Sequence, residues 1–201
     1  MQDLVAYFGF GSLVNRHTLR TSFVDVIPAR LKGWRRHWQG RTEALAEDVA
    51  LLSIHQDPSC TIDGMIVIDR LENLPMVDQR EAGYGRHALT LDDVELLEAV
   101  NLPERIYVYV AHKPDGDDAG GPLLQSYLDA VMQGFHDVYG DDGLQRFMDT
   151  TAGFRRDLIA DRAAPLYPRS VVLDERQIEK FDDMLLQTGV VFSPGQAATG
   201  T

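Results

Sequence analysis

The order of elements along the chain predicts an α+β fold, a curled or closed sheet covered by helices from the C-terminal third. Three observations carry this. Short apolar runs bounded by turn residues fill the chain to about residue 112. A long 3.6-residue apolar period begins only after Pro122. The strands do not alternate with full-length helices, as a doubly wound parallel sheet requires.

The first run, Leu4-Val5-Ala6-Tyr7-Phe8, reads as a buried strand closed by Gly9-Phe10-Gly11-Ser12. Residues 13–21 read as a short helical turn. Residues 25–38 read as a strand with Ala29, Leu31 and Gly33 on its inner face. Ala50–Ile54 and Gly64–Ile68 read as two strands of a hairpin, joined through the turn residues Gln56-Asp57-Pro58-Ser59. Residues 69–84 are helical in part, with Pro75 in the first turn, where its missing N–H costs nothing. Arg86–Leu91 and Ile106–Ala111 complete the strands. Pro114–Gly121 is a polar connection; it lacks the spaced acids and closing Glu of a calcium loop.

Leu124, Leu128, Val131, Met132, Phe135 and Val138 then form one face of an amphipathic helix ended by Gly140. A shorter helix begins with Leu144, Phe147 and Met148 and closes near Gly153. Asp174 and Gln177 form a capping box for a last helix, which Gly189 ends. Ser193–Thr201 reads as a disordered tail, so a single domain is expected over residues 1–192, with the sheet to about 112 and the helical part over about 122–190.

Composition narrows the class. Of the 201 residues 44% are hydrophobic and 25% charged, enough for an ordinary core. A net charge of −12 argues against nucleic acid or an anionic membrane as partner. The basic group Arg30, Lys32, Arg35, Arg36 and Arg41 is either a solvated strand face or a lip that draws in an anion. Cys60 is the only cysteine, which excludes an internal disulfide and fits a reducing cytoplasm; beside Pro58 and Ser59 it reads as an unactivated loop thiol. No apolar run approaches membrane-spanning length, and Met1-Gln2-Asp3 leads straight into the first strand, so no signal peptide is expected.

Most standard chemical constellations are missing. No phosphate-binding loop, H-E-x-x-H or C-x-x-C is present, and no two histidines lie four apart, so no metal is expected. Ser12 lacks the flanking glycines of a nucleophile elbow. Two stretches remain. Gly9 and Gly11 let the chain turn through positive φ and leave no Cβ in the way of an approaching group, so that successive N–H groups around Gly9 to Leu13 point at one spot as an anion nest, or else form a plain tight turn. Glu81, with Ala82, Gly83 and Tyr84 after it, is either a carboxyl at the mouth of a cavity or a surface partner of Arg80.

Together the two stretches resemble a known family. Tyr7-Phe8-Gly9-Phe10-Gly11-Ser12-Leu13 is similar to the Y-F-G-Y-G-S-[NL] signature of the γ-glutamylcyclotransferase superfamily. Arg80-Glu81-Ala82-Gly83-Tyr84 resembles that superfamily's [RE]-E-x-G-Y segment. The Ser12-Leu13 ending and the long later helix look more like the ChaC-type, glutathione-degrading branch. The resemblance covers roughly residues 4 to 140 and implies a small closed β-barrel with flanking helices. It implies a cytoplasmic enzyme that uses no cofactor and converts a γ-glutamyl amide or peptide, glutathione among them, to 5-oxoproline and the free amine. It makes Glu81 the general acid and base, and Phe8, Gly9, Phe10, Gly11, Ser12, Leu13 and Tyr84 the substrate contacts. A binding or regulatory domain without turnover, on the same scaffold, is the alternative. Two departures stand out: Phe10 replaces the usual Tyr, and Asp161–Arg169 has no family counterpart.

Overall fold

The computed structural model describes residues 3–41, 49–112 and 120–194. The last residues of the tail and most of the 114–121 connection lie outside these, as does the side chain of Arg41. Strands β1 (Leu4–Gly9), β2 (Asp25–Arg41) and β3 (Val49–Arg70) are followed by helix α1 (Leu74–Arg80), then β4 (Tyr84–Leu89), β5 (Val94–Leu96) and β6 (Ile106–Ala111). Pro75 sits in the first turn of α1. Past residue 120 come β7 (Leu123–Leu124), α2 (Gln125–Asp149), β8 (Thr151–Ala152), β9 (Asp157–Ala160), α3 (Glu175–Thr188) and β10 (Val191–Pro194).

The main sheet runs β4-β6-β1-β3-β2-β5, with β8 added to β2, and β10-β9-β7 form a small parallel sheet. The sheet is not closed, which corrects the barrel expected from the resemblance: the ends of the path, β4 and β5, do not pair among the described residues. Side chains also link the end of β6 to β3 and β2. Ser53 Oγ accepts from the amide of Ala111, and Gln39 Nε2 donates to the carbonyl of His112. The sheet therefore curls without a continuous ladder, since a barrel needs every edge paired by backbone.

The predicted hairpin is also corrected. Ala50–Ile54 and Gly64–Ile68 are two halves of β3, and both pair with β2. Lys32 faces Thr61 while Trp34 faces Gln56, so the residues between bulge out opposite Gly33, whose φ is +77°. Asp57 accepts from the amide and hydroxyl of Ser59, which is the turn chemistry read in the sequence. It makes a bulge here because β2 continues past it as a pairing partner. Cys60 consequently lies buried in β3, not in a loop.

The bulge changes which face of β2 points inward. Ala29 and Leu31 are buried before it, Arg36 and Trp38 after it. A one-residue change of phase moves a strand's side chains to the opposite face. This is why Arg36 is not part of a basic lip. Its neighbours are paired as well: Arg30 with Asp63 and Glu95, Arg35 with Asp57, while Lys32 donates to the carbonyl of Asp92.

Helix α2 is longer than the sequence period suggests, because the helices on either side of Gly140 meet at a kink there, where φ is +66°. Leu128, Val131, Met132 and Phe135 pack into the common core with Val67, Leu52 and Trp38 of the sheet. Asp174 and Gln177 make the reciprocal cap on α3, and Gly189 ends it with φ +85°. No helix among the described residues is long and apolar enough to cross a membrane.

Candidate active site

Strand registers bring the two sequence stretches together. β1 lies parallel to β6 with Phe8 opposite Val108, and β4 lies antiparallel to β6 with Tyr84 opposite Ala111. β4 therefore begins at the level where β1 has just ended. The turn before β4 carries Glu81: its amide closes α1 on Val77 O, Gly83 takes φ +84°, and the Tyr84 amide returns to Glu81 O at 2.9 Å. Gly83 is where a left-handed turn is needed, so a side chain there is strained.

Neither Gly9 nor Gly11 has positive φ, which corrects that half of the expectation for these glycines. They are needed for close approach. A Cβ on Gly9 lies 2.5 Å from Leu13 Cβ, and one on Gly11 lies 3.1 Å from the Tyr127 hydroxyl. Gly9→Ala is expected to cost about 1–3 kcal/mol of stability by overpacking. A urea midpoint that falls at unchanged slope is the result that checks it.

After Gly11 the chain makes a short 3₁₀ turn over Ser12–Val14. The amides of Gly11, Ser12 and Leu13 donate to no carbonyl among the described residues. The loop is gripped from behind. Asn15 Nδ2 donates to Ala130 O and Gln133 Oε1 of α2, both at 2.9 Å. Arg36, fully buried, donates from Nε to Phe10 O at 2.8 Å, from Nη1 to Thr150 Oγ1 at 2.9 Å, and from Nη2 to Asp63 O. Its guanidinium stacks over Phe135 and Phe147. Burial pulls its pKa down to about 9, so it remains a cation at neutral pH.

Phe8, Phe10, Gly11, Ser12, Leu13, Glu81 and Tyr84 line one small cavity of about 30 Å³, completed by Leu52, Tyr109 and Tyr127. Gly9 lies behind it, packed on Leu13. Glu81 is not an open surface group: its side chain is 17% exposed and pairs with Arg80 Nε at 3.1 Å. Arg80 also donates to Thr18 O and approaches Ser12 Oγ at 3.4 Å. The Tyr84 hydroxyl donates to Leu52 O at 2.7 Å. Burial, aided by the nearby Tyr84, Tyr167 and Glu81, pushes the Tyr127 phenol well above its usual value, which keeps it a neutral donor.

Sequence reasoning did not find Tyr167. Its hydroxyl donates to Ser12 Oγ at 2.8 Å. Phe10 itself carries no hydroxyl, and a phenol reaches the loop from residue 167. The strap that carries it, over residues 161–170, is anchored at its start. Asp161 accepts from the Ser126 amide and hydroxyl and from the Leu166 amide. Arg162 joins Asp129 of α2 to Asp182 of α3. Among the described residues no group of three or more His, Cys, Asp or Glu could hold a metal.

Solved structures share this architecture. One described as a gamma-glutamyl cyclotransferase is similar at 12% identity over 90% of this chain and 99% of its own, with a TM-score of 0.55. An uncharacterized protein from Homo sapiens is similar at 14% identity over the same shares, with a TM-score of 0.54. YkqA from Bacillus subtilis is similar at 15% identity over 74% of this chain and 54% of its own, with a TM-score of 0.57. The chain thus has the γ-glutamyl cyclotransferase-like fold. No protein-family model matches it, and no curated protein matches it.

Proposed function

We propose that the protein is a cyclising enzyme that converts a γ-glutamyl amide or peptide to 5-oxoproline and the free amine. One observation carries the reading: Glu81 lines the same small cavity as Phe8, the Phe10–Leu13 turn and Tyr84. The nucleophile is the substrate's own α-amine, so no side-chain nucleophile or cofactor is required. Closing a five-membered ring draws on proximity, worth about 7–11 kcal/mol in the best intramolecular cases.

Glu81 takes a proton from the α-ammonium, and the nitrogen attacks the γ-carbonyl. The new C–N bond forms, the old one breaks, and the carboxyl returns its proton to the leaving nitrogen. In all, the α-nitrogen loses two protons and the leaving amine gains two, relayed singly through this carboxyl. The amides of Gly11 to Leu13 and the Ser12 hydroxyl hold the oxyanion or the α-carboxylate.

The cavity has room for a water or two, not for a γ-glutamyl group. Binding therefore requires its wall to open. The same tightness supports a second reading, a ligand-binding domain without turnover. Incubation with a panel of γ-glutamyl compounds, glutathione included, decides between them: the enzyme reading predicts 5-oxoproline by mass spectrometry, and its absence from every incubation refutes it. Ser12→Ala is expected to raise KM about fivefold, the worth of one neutral hydrogen bond, and to lower kcat less. An unchanged KM removes the holding role.

A further inference from the structure

Beside the Glu81 cavity lies a larger one of about 330 Å³. Leu13 is a wall of both, and Arg80, next in the chain to Glu81, faces the larger. Three guanidinium groups line it, Arg20, Arg80 and Arg169, with Tyr7, Thr21 and Gln79; the remaining lining residues are apolar and none is acidic. In a chain of net charge −12, three cations around one hollow with no carboxylate in its wall oppose the average composition. Arg80 is neutralised by Glu81. Arg20 and Arg169 make no ion pair among the described residues.

Arg80 is held by side-chain hydrogen bonds, and the backbone that carries Arg169 is held by the strap. Arg80 Nη1 donates to Thr18 O at 2.8 Å, and Nη2 lies 3.2 Å from Thr18 Oγ1. Arg169 follows Tyr167, which is fixed to Ser12 by its hydroxyl, while the Ser170 amide closes a turn on the Tyr167 carbonyl at 3.1 Å. The strap thus delivers one residue to the small cavity and another to the large one.

We propose that the larger cavity binds a dianionic group, a phosphate monoester or a pair of carboxylates, carried on the amine half of the substrate. This rests on the function proposed above. Two unneutralised guanidinium groups match two negative charges, and their planar forks suit carboxylate and phosphate oxygens. The cavity volume lies in the range of small-molecule sites, which begins near 300 Å³. A γ-glutamyl head at Glu81 has its amine half directed past Leu13 and Arg80, the boundary between the two cavities.

The test has a binding arm and a kinetic arm. Inorganic phosphate and succinate are titrated by calorimetry, at low ionic strength, into the full chain and into Arg20→Gln, Arg169→Gln and the double variant, with folding checked by thermal denaturation. One of the two probes is expected to saturate the wild type in the millimolar range and to bind the double variant about tenfold or more weakly. The tighter probe distinguishes phosphate from dicarboxylate. Equal affinity in wild type and double variant, or no saturation by either probe, overturns the site. In the kinetic arm, the kcat/KM preference for a γ-glutamyl amide of an anionic amine over that of ethylamine falls about tenfold or more in the double variant. Turnover of both amides at an unaltered ratio overturns the inference and leaves the reaction standing. Arginine-dependent binding without turnover of any γ-glutamyl compound supports the anion site and refutes the reaction.

Discussion

Glu81→Gln is expected to lower kcat for 5-oxoproline formation by about 10²–10⁴-fold, the usual worth of a positioned general acid and base. The amide is isosteric and its oxygen still accepts from Arg80, so the ion pair at 3.1 Å becomes a hydrogen bond. What the variant cannot do is carry a proton between the two substrate nitrogens. Stability should change by no more than about 1 kcal/mol, because only a partly screened pair is weakened. Loss of activity at unchanged melting temperature is therefore the expected pair of results. Wild-type turnover by the variant removes Glu81 as the base.

Arg36→Met is expected to lower stability by about 4 kcal/mol, from acceptors that each cost about 1–3 kcal/mol when buried without a donor. These are the carbonyls of Phe10 and Asp63 and the Thr150 hydroxyl. For a chain of this length that lowers Tm by roughly 8–16 °C. Arg35→Met is the comparison. Arg35 pairs with Asp57 at the surface, both partly exposed, and such pairs contribute about 0–1 kcal/mol. Two adjacent arginines thus have opposite expected consequences. A Tm for Arg36→Met no lower than that of Arg35→Met contradicts the role given to it. Since Arg36 holds Phe10 O, residual folded protein should also bind γ-glutamyl compounds poorly.

What was legible in the sequence was local. The Leu4–Gly9 and Ile106–Ala111 strands, Pro75 in the first turn of α1, and the Asp174–Gln177 cap announce themselves through neighbours within four positions. The residues alone left each of the two cavity-lining stretches with a plain structural alternative, and only the family resemblance placed them around one cavity. What was missed depends on distance or on phase. The bulge opposite Gly33 turned an apparent hairpin into one strand, and it also turned Arg36 inward. The alternation Trp34, Arg36, Trp38 was the available sign that this arginine shares a face with aromatic side chains. Tyr167 reaches Ser12 across 155 positions, and no local pattern marks such a partner. The open sheet depends on β4 and β5, the ends of the path, leaving each other unpaired among the described residues, and no local pattern marks such long-range pairing.

The central claim is that the substrate's own nitrogen, not water, attacks the γ-carbonyl. Turnover in water enriched in oxygen-18, followed by mass analysis of both products, tests it most directly. Intramolecular attack predicts 5-oxoproline without label, formed one for one with the free amine. Glutamate carrying one oxygen-18 atom in its side-chain carboxyl contradicts it, because only hydrolysis places solvent oxygen there.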